Sequence, residues 1–298
     1  MTPRPELLAG ALEQSIRDAI GNEFRLAEGY RPPAAGSGPV DGSDRPLFGK
    51  FMASAQAARL DAEADGLAAI AATGAIRTPA VLARGEAGGV AWLILEWLDL
   101  QPIADDATAG RAAEALAAMH RSEGEHFGWH RDNFIGATPQ ANPASDNWSH
   151  FFAHQRLQPQ FERAAANGHG GELQKDGRRV VERLAALFLD QRPRPSLLHG
   201  DLWHGNIGAL ADGTPVIFDP ACYYGDREAD IAMSELFGGL PYGFYASYRR
   251  LMPLSVDYET RKQLYNLYHI LNHLNLFGRG YLSQACRMAS QLRQALGR

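Results

Sequence analysis

The sequence predicts an α+β protein in which a small, sheet-containing N-terminal lobe precedes a larger, mainly helical C-terminal lobe. Up to residue 96, helical segments alternate with short apolar runs typical of strands. From residue 107 onward, helical patterns dominate and are interrupted by one hairpin pattern. This change places the boundary near residues 97–103, so residues 1–98 are predicted to form the first lobe and residues 99–298 the second.

The elements of the first lobe follow from the spacing of its apolar side chains. Residues 6–20 and 55–73 carry these side chains at helical intervals and are predicted to be helices. Strands are predicted at 47–52, 80–82 and 90–96. Residues 29–46 are rich in Gly, Pro, Ala and Ser, which predicts a loop or a poorly specified hairpin.

The second lobe is predicted to be helical around a single hairpin. Helices are predicted at 107–120, 147–166 and 172–190, and from 228 onward with breaks at Pro241 and Pro253. Residues 207–210 and 215–218 flank the turn sequence Ala-Asp-Gly-Thr, which predicts a β-hairpin.

Composition restricts the class of protein. The chain has 298 residues, a net charge of −5 and 45% hydrophobic residues, as expected of a globular protein and unlike a broad nucleic-acid binder, which carries a basic surplus. No apolar stretch reaches the roughly 18 residues of a membrane-spanning helix, and the first residues lack a secretion-signal pattern. Cys222 and Cys286 have neither zinc-site nor disulfide-framework spacing. We therefore expect a cytoplasmic protein that binds neither nucleic acid nor membranes.

The segment Leu-Leu-His-Gly-Asp-Leu-Trp-His-Gly-Asn at residues 197–206 carries the strongest chemical signal. Asp201 can accept the proton of a substrate hydroxyl. Asn206 and Asp219, the latter placed after the predicted hairpin, offer hard oxygen ligands to Mg²⁺. This spacing is that of the catalytic loop and metal-binding turn of kinases. Each residue alone could satisfy a turn or a strand end, but the three together predict a phosphoryl-transfer site.

Residues of the first lobe complete this pattern with a predicted nucleotide site. Lys50 lies on a predicted strand and can reach the phosphates of ATP, and Glu63 on the following helix can pair with it and fix its position. Taken alone, they could be a strand-end Lys and a surface Glu, but the phosphoryl-transfer residues favour nucleotide binding. The connector Glu96-Trp97-Leu98 follows the last strand of the lobe, where backbone groups can pair with the adenine edge.

Other residues in and after the catalytic loop allow more than one interpretation. His199 and His204 are compatible with a metallohydrolase, but no His-x-x-x-His pair or other close ligand supports that class. We expect His199 to hold the loop by hydrogen bonds and His204 to face substrate or solvent. Trp203 is either a stacking surface for a sugar or amine or a buried structural side chain. Asp230 either accepts hydrogen bonds from the loop backbone or caps a helix.

Longer motifs in the second lobe point to one family. They are His-Gly-Asp-Leu-Trp-His-Gly-Asn at 199–206, Phe-Asp-Pro-Ala-Cys-Tyr-Tyr-Gly at 218–225, Asp-Arg-Glu-Ala-Asp-Ile-Ala-Met at 226–233, and residues 138–142, 148–152, 156–157, 235–239 and 264–278. With these motifs the chain resembles the fructosamine-3-kinase (ketosamine kinase) family, a branch of the protein-kinase-like fold related to aminoglycoside phosphotransferases.

The first lobe matches that family less completely. Residues 48–50 and 62–67 resemble its nucleotide-binding Lys and helix Glu, whereas its paired-glycine phosphate loop is not recognisable. Some members link subunits by a disulfide through a cysteine in that loop. This chain has no cysteine there, so that redox switch is not expected.

The resemblance implies a two-lobe protein-kinase-like fold and an ATP- and Mg²⁺-dependent kinase for the 3-hydroxyl of ketosamines such as ribulosamines or fructosamines, acting in deglycation. The substrate is then a small-molecule ketosamine or a glycated protein amine. In this scheme Asp201 is the base. Lys50, positioned by Glu63, holds the ATP phosphates, and Asn206 and Asp219 hold Mg²⁺.

Two other functions stay open at this point. One is a kinase for another amine-bearing substrate, aminoglycoside- or choline-like, and the other is a non-catalytic kinase-like binding module. The identity of the sugar and of the amine is open too, as is the oligomeric state.

Overall fold

A computed structural model of the protein describes residues 5–21, 23–42 and 46–297. Residues 1–4 lie outside these ranges. They are the start of the first predicted lobe and of the segment in which no secretion signal is predicted. Residues 43–45 of the predicted loop, residue 22 and residue 298 also lie outside these ranges. None of the described helices is both long enough and apolar enough to cross a membrane.

The first lobe is built on a four-stranded antiparallel sheet with the order β1-β2-β4-β3. Its strands are β1 (Gly36–Val40), β2 (Leu47–Ala53), β3 (Val81–Ala87) and β4 (Val90–Glu96), and its helices are α1 (Pro5–Ile20) and α2 (Ala57–Ala72). The predicted helices and the strands predicted at 47–52 and 90–96 are confirmed. The strand predicted at 80–82 is longer and reaches residue 87. Of the two alternatives for residues 29–46, the hairpin is correct, because β1 pairs with β2.

Strand β4 lies at the centre of this lobe and is covered on both faces. The apolar side of α1 packs with Trp92 and Ile94 on one face, whereas α2 packs with Leu93 and Leu95 on the other. These four side chains are at most 3% exposed. Burial on both faces explains why β4 is a continuous apolar run in the sequence and not an alternating one.

The second lobe is mainly helical. Its helices are α3 (Asp106–His120), α4 (Trp148–Phe151), α5 (Gln158–Ala166), α6 (Glu172–Arg183), α7 (Glu228–Leu236), α8 (Tyr242–Leu251), α9 (Tyr258–Phe277) and α10 (Leu282–Leu296). Most of α9 is buried, and it contacts α5, α7 and α10. Helix α9 is therefore the element around which this lobe packs.

Most helix predictions for the second lobe are confirmed. The helix predicted at 147–166 is present but distorted, because a π-helical turn joins α4 to α5. The helix predicted at 172–190 is α-helical only as far as Arg183 and then tightens into a 3₁₀ segment. Pro241 and Pro253 lie at breaks between helices, as predicted.

Short strand pairs fix the loops of this lobe. They are β5 (Asn133–Ile135) with β6 (Thr138–Gln140), β7 (Ser196–Leu198) with β10 (Tyr223–Gly225), and β8 (Ile207–Ala209) with β9 (Pro215–Ile217). The β8–β9 pair confirms the predicted hairpin, whereas strands of three residues at the other two pairs carry too little periodicity to be predicted. The β7–β10 pair closes residues 199–222 into one compact loop that contains β8 and β9. The division of the chain at residue 98 stays a prediction.

Candidate active site

The β8–β9 hairpin brings the three predicted phosphoryl-transfer residues together. The side-chain nitrogen of Asn206 donates to the backbone oxygen of Asp201 over 2.9 Å, and the backbone N–H of Phe218 donates to the backbone oxygen of Asn206 over 3.1 Å. Asp219 follows directly with a φ of 58°, a left-handed conformation that is uncommon for a residue other than glycine. Asp201, Asn206 and Asp219 line one cavity.

Gly200 makes the sharp turn before Asp201 possible. Its φ is +81°, and a Cβ at this position would lie 2.1 Å from the backbone oxygen of Ala221. The backbone N–H of Ala221 in turn donates to the backbone oxygen of His199 over 2.8 Å. The two backbone segments approach so closely here that only glycine fits.

Asp230, at the start of α7, fastens the loop that carries Asp201 to the second lobe. One of its carboxylate oxygens accepts from the backbone N–H of His199 over 2.7 Å, and the other from that of Gly200 over 2.9 Å. The Nε2 of His120 lies 3.1 Å from the same carboxylate. Burial opposes ionisation of Asp230, but the hydrogen bonds and nearby histidines outweigh it and hold its pKa below the ordinary value. Of the two predicted alternatives, a hydrogen-bond acceptor for the loop backbone or a helix cap, the structure shows the first set of contacts.

His199 connects the backbone before Asp219 to the backbone of Asp201 through both ring nitrogens. Its Nε2 donates to the backbone oxygen of Phe218 over 2.9 Å, and its Nδ1 accepts from the backbone N–H of Asp201 over 3.2 Å. This pair of partners requires the proton on Nε2. Burial lowers the pKa of His199, which favours the same neutral form. His199 thus has the hydrogen bonds expected of a loop-holding residue.

Asp201 has an environment that raises its proton affinity. Burial, together with the negative charges of Asp219 and Asp230, raises the pKa of Asp201 to about 7, against the opposing hydrogen bond from Asn206. A carboxyl group with a pKa near 7 can take up a proton and lose it again at neutral pH.

Lys50 joins the two lobes at this site. Its ammonium nitrogen lies 2.6 Å from a carboxylate oxygen of Glu63 and 2.6 Å from one of Asp219. Burial alone would lower the pKa of Lys50, but the two carboxylates outweigh burial and raise it. The side chain is therefore an ammonium ion held between Glu63 on α2 and Asp219 after the β8–β9 hairpin.

The predicted connector lines an apolar cavity of about 430 Å³ between the lobes. Trp97 is 41% exposed, and its ring lies 6.2 Å from that of Phe48 between centroids. The side chain of Glu96 pairs with Arg77 over 2.6 Å, and its backbone N–H donates to the backbone oxygen of Ala80 over 2.9 Å. The other lining residues are Gly36, Ser37, Lys50, Pro79, Leu95, Leu98, Leu100, Phe218 and Asp219.

A second, more polar cavity of about 340 Å³ contains Asp201, Trp203 and Asn206. Lys50 and Asp219 line both cavities, so the two meet at this ion pair. Other parts of the polar cavity wall come from the β5–β6 hairpin and from the second half of α9. The site therefore offers one apolar and one polar compartment with charged groups where they meet.

Trp203 and His204 have different surroundings. Trp203 is half-buried in the wall of the polar cavity, with its ring 6.1 Å from that of Phe237, so it is not the buried structural side chain of the second alternative. His204 is exposed and packs against the edge of Trp203, 4.8 Å between centroids. It is not among the residues that line the polar cavity, and its role stays a prediction.

Several residues of the polar cavity are absent from the sequence predictions. They are Arg59, Phe134, Ile135, Gly136, Asn272, His273, Leu276 and Phe277, together with Ala62, Asn133, Pro220, Ala221 and Met233. The family motifs at 62–67, 218–225, 226–233 and 264–278 contain some of them but assign them no role, and Arg59 and residues 133–136 lie outside every motif.

These features define a phosphotransferase with a kinase-like fold that acts on a hydroxyl group. An antiparallel sheet and its helix supply a Lys–Glu pair, and a helical lobe supplies an Asp, an Asn and a second Asp at the spacing such enzymes use.

Comparison with known sequences gives the family. The sequence model of the fructosamine kinase family matches residues 34–295, and the chain belongs to this family. It is 44% identical over 285 residues to a probable ketoamine kinase of Synechocystis sp., covering 94% of this chain and 95% of the relative. It is 37% identical over 298 residues to a chloroplastic protein-ribulosamine 3-kinase of Arabidopsis thaliana, covering 95% of this chain and 90% of the relative. The family resemblance is thereby confirmed.

Solved structures give the same result for the fold. A protein from Haemophilus somnus assigned as a fructosamine-3-kinase superposes with a TM-score of 0.84 at 27% identity, covering 96% of this chain and 98% of that one. An aminoglycoside phosphotransferase in complex with gentamicin superposes with a TM-score of 0.60 at 14% identity, covering 95% and 96%. The second likeness concerns the fold alone. The predicted α+β, protein-kinase-like fold is confirmed.

Proposed function

We propose that this protein is an ATP-dependent kinase for the 3-hydroxyl of ketosamines such as ribulosamines or fructosamines. The observation that carries the proposal is the meeting of the apolar and the polar cavity at Lys50 and Asp219, with Asp201 in the polar wall. A nucleotide in the apolar cavity would present its terminal phosphate to an acceptor in the polar one. Relatives named ketoamine kinase and protein-ribulosamine 3-kinase support the choice of acceptor.

The residues where the cavities meet fit Mg²⁺-ATP. The nitrogen of the Asn206 side chain is bonded to the loop backbone, which leaves its amide oxygen for a cation, and Asp219 adds a carboxylate. In the part of the chain that the structure describes, no three His, Cys, Asp or Glu side chains are grouped to hold a metal by themselves. That suits Mg²⁺, which takes one or two carboxylate ligands and completes its shell with phosphates and water. When bound, it neutralises charge on the phosphates.

The chemistry proposed for the chain's own residues is in-line phosphoryl transfer. Asp201 orients the acceptor hydroxyl and accepts its proton as the hydroxyl oxygen bonds to the γ-phosphorus. The bond from that phosphorus to the β,γ-bridging oxygen breaks, and ADP leaves with the electron pair. Lys50, held by Glu63, binds the nucleotide phosphates. Most of the rate acceleration comes from positioning and charge stabilisation.

Trp203 is the proposed stacking surface for the sugar or its amine. It is the aromatic side chain of the catalytic loop that reaches the polar cavity, whereas His204 does not line that cavity. Phosphorylation at C3 destabilises the sugar–amine adduct, which then falls apart and frees the amine. The role that follows is deglycation of small amines or of glycated proteins.

A substrate panel tests the proposed function. Purified protein is given Mg²⁺-ATP with ribulosamine, erythrulosamine and fructosamine adducts, free and peptide-borne, and with an aminoglycoside and choline as competitors. We expect phosphate transfer to C3 of at least one ketosamine. Transfer to the aminoglycoside or choline with none to any ketosamine would identify the other kinase function instead. No turnover by folded protein would favour a binding module.

Removal of the proposed base gives a second test. In Asp201→Asn we expect kcat to fall by about 10²–10⁴-fold, because the amide cannot accept the proton. Asp212→Asn is the matched control, since Asp212 lies on the exposed turn of the β8–β9 hairpin. Circular dichroism and melting temperature check that both variants fold. An Asp201→Asn enzyme with the activity of the control would contradict the proposed role.

A further inference from the structure

Helix α9 carries a buried histidine, His269, and one of its two ring nitrogens has no hydrogen-bond partner among the described residues. His269 is 5% exposed, and its Nδ1 is sealed from solvent without a donor or acceptor among the residues that the structure describes. Tyr268 and Asn272 on the same helix are paired, since Tyr268 donates to Gln140 over 2.6 Å and Asn272 accepts from Thr138 over 2.7 Å. An unpaired buried nitrogen costs stability, so its presence calls for a physical reason.

The nitrogen faces the proposed base. The distance from His269 Nδ1 to Asp201 Oδ1 is 3.9 Å. The other oxygen of Asp201 lies 3.4 Å from the side-chain nitrogen of Asn206, which is also longer than a good hydrogen bond. The carboxylate on which the chemistry depends is therefore loosely held on both sides. A shift of about 1 Å by either group brings Nδ1 and Oδ1 to hydrogen-bond distance.

Catalytic hydrogen bonds are often long before substrates bind and shorten in the loaded enzyme. Nδ1 is closed to solvent, so neither water nor a substrate oxygen reaches it. The carboxylate of Asp201 is the acceptor that lies near it. We propose that His269 is a positioning residue whose Nδ1–H donates to Oδ1 of Asp201 in the loaded enzyme and fixes the orientation of the base. The proposal rests on the proposed function, in which Asp201 accepts the substrate proton at its other oxygen.

The charge state of His269 suits this task. Burial, with a further contribution from neighbouring His273, lowers the pKa of His269 to about 3, so the ring is neutral at physiological pH. A cationic partner would favour the carboxylate form of Asp201 strongly and weaken it as a base. A neutral donor orients the carboxylate with a much smaller effect on its proton affinity.

Substitutions that keep or move the donor separate positioning from packing. The amide of His269→Asn is attached at the same carbon as Nδ1 and can supply an N–H at that place, whereas His269→Gln carries its amide one bond further out. His269→Leu has no donor. We expect the Gln and Leu variants to lose about 10- to 100-fold in kcat with an unchanged KM for ATP, and the Asn variant to recover most of the loss. Asn266→Leu, on the same helix, is the packing control and is expected to keep kcat.

Histidine NMR provides a readout that does not depend on turnover. In ¹⁵N-labelled protein we expect His269, assigned by its absence in His269→Asn, to carry its proton on Nδ1. In Asp201→Asn that proton resonance is expected to shift. The measurement is made with Mg²⁺ and a non-hydrolysable ATP analogue.

The outcomes distinguish this proposal from the proposed function. Wild-type protein without ketosamine turnover contradicts the proposed function, and the NMR result alone then decides the role of His269. A proton on Nε2 in place of Nδ1 overturns the proposal. So does a folded Leu variant with wild-type kcat, or an equal loss of kcat in the Asn and Gln variants.

Discussion

The catalytic loop and strand β1 are built in opposite ways. In the loop, buried groups fix the backbone, since Asp230 accepts from two consecutive N–H groups and His199 bonds to the backbone on either side of the site. Strand β1 is held by backbone pairing with β2, and Val40 is the one buried residue among its five. Both regions line the active-site cavities.

This difference separates two demands on a kinase. A proton-accepting group must stand close to its productive position, because an error of about 1 Å can cost 100-fold in rate. Contacts to a nucleotide through the backbone of an exposed strand tolerate variation in side chains. The two regions therefore predict different responses to substitution.

The largest effect is expected where the loop is anchored. In Asp230→Asn the side chain keeps one oxygen acceptor where the carboxylate has two. The NH₂ group of the asparagine then faces one of the two backbone N–H groups, which has lost its acceptor. We expect the free energy of unfolding to fall by about 3–5 kcal/mol and kcat to fall by about 100-fold. Urea unfolding and ATP turnover measure the two quantities. Wild-type values for both would mean that other contacts hold the loop.

The same anchor predicts a pH dependence of stability. The pKa of Asp230 is lower in the folded protein than its ordinary value, which is about 3.9 in an unfolded chain. Its stabilisation is therefore present above about pH 4 and is lost as the pH falls through the native-state pKa. We expect the difference in unfolding free energy between wild type and Asp230→Asn to shrink below that pH. A difference that stays constant down to the acid transition would contradict this assignment.

A matched pair of glycine substitutions compares the two regions directly. Gly200→Ala places a Cβ 2.1 Å from a backbone oxygen at a φ of +81°, and we expect a loss of about 2–4 kcal/mol in unfolding free energy. Gly38→Ala in β1 meets no atom within 4 Å, so we expect a change within about 0.5 kcal/mol. Unfolding of both variants under the same conditions gives the comparison. Equal losses would show that β1 is as constrained as the loop.

The smallest effect on the enzyme kinetics is expected in the apolar cavity. Trp97→Ala removes part of a wall that is already 41% exposed. We expect the KM for ATP to rise about three- to tenfold with kcat nearly unchanged, because about 1 kcal/mol of apolar contact is lost equally before and during the reaction. Steady-state kinetics at saturating ketosamine measure both constants. A fall in kcat larger than the rise in KM would place Trp97 in the chemical step.

The sequence predicts those parts of the site whose chemistry requires particular side chains at short separations. Asp201, Asn206 and Asp219 are of this kind, and so are Lys50 and Glu63 on a strand and the helix that follows it. The structure brings all five together.

Parts of the site that depend on shape could not be predicted. Arg59, Phe134 and Phe277 come from three distant elements, and a cavity wall accepts many side chains. His269 lies in a family motif, but the motif does not show which of its side chains lies near Asp201. The β5–β6 and β7–β10 pairs are too short for periodicity to indicate them.

Lys50 pairs with Asp219 across 2.6 Å in addition to its pair with Glu63. A nucleotide that binds without a cation would draw the ammonium group of Lys50 away and leave Asp219 beside added negative charge. A cation that binds without a nucleotide would compete with Lys50 for the carboxylate of Asp219. A magnesium–nucleotide complex offers an anion to Lys50 and a cation to Asp219 together, so it replaces the ion pair charge for charge. If the proposed function holds, we expect the affinity for nucleotide to depend on magnesium, and by thermodynamic reciprocity the affinity for magnesium to depend equally on nucleotide.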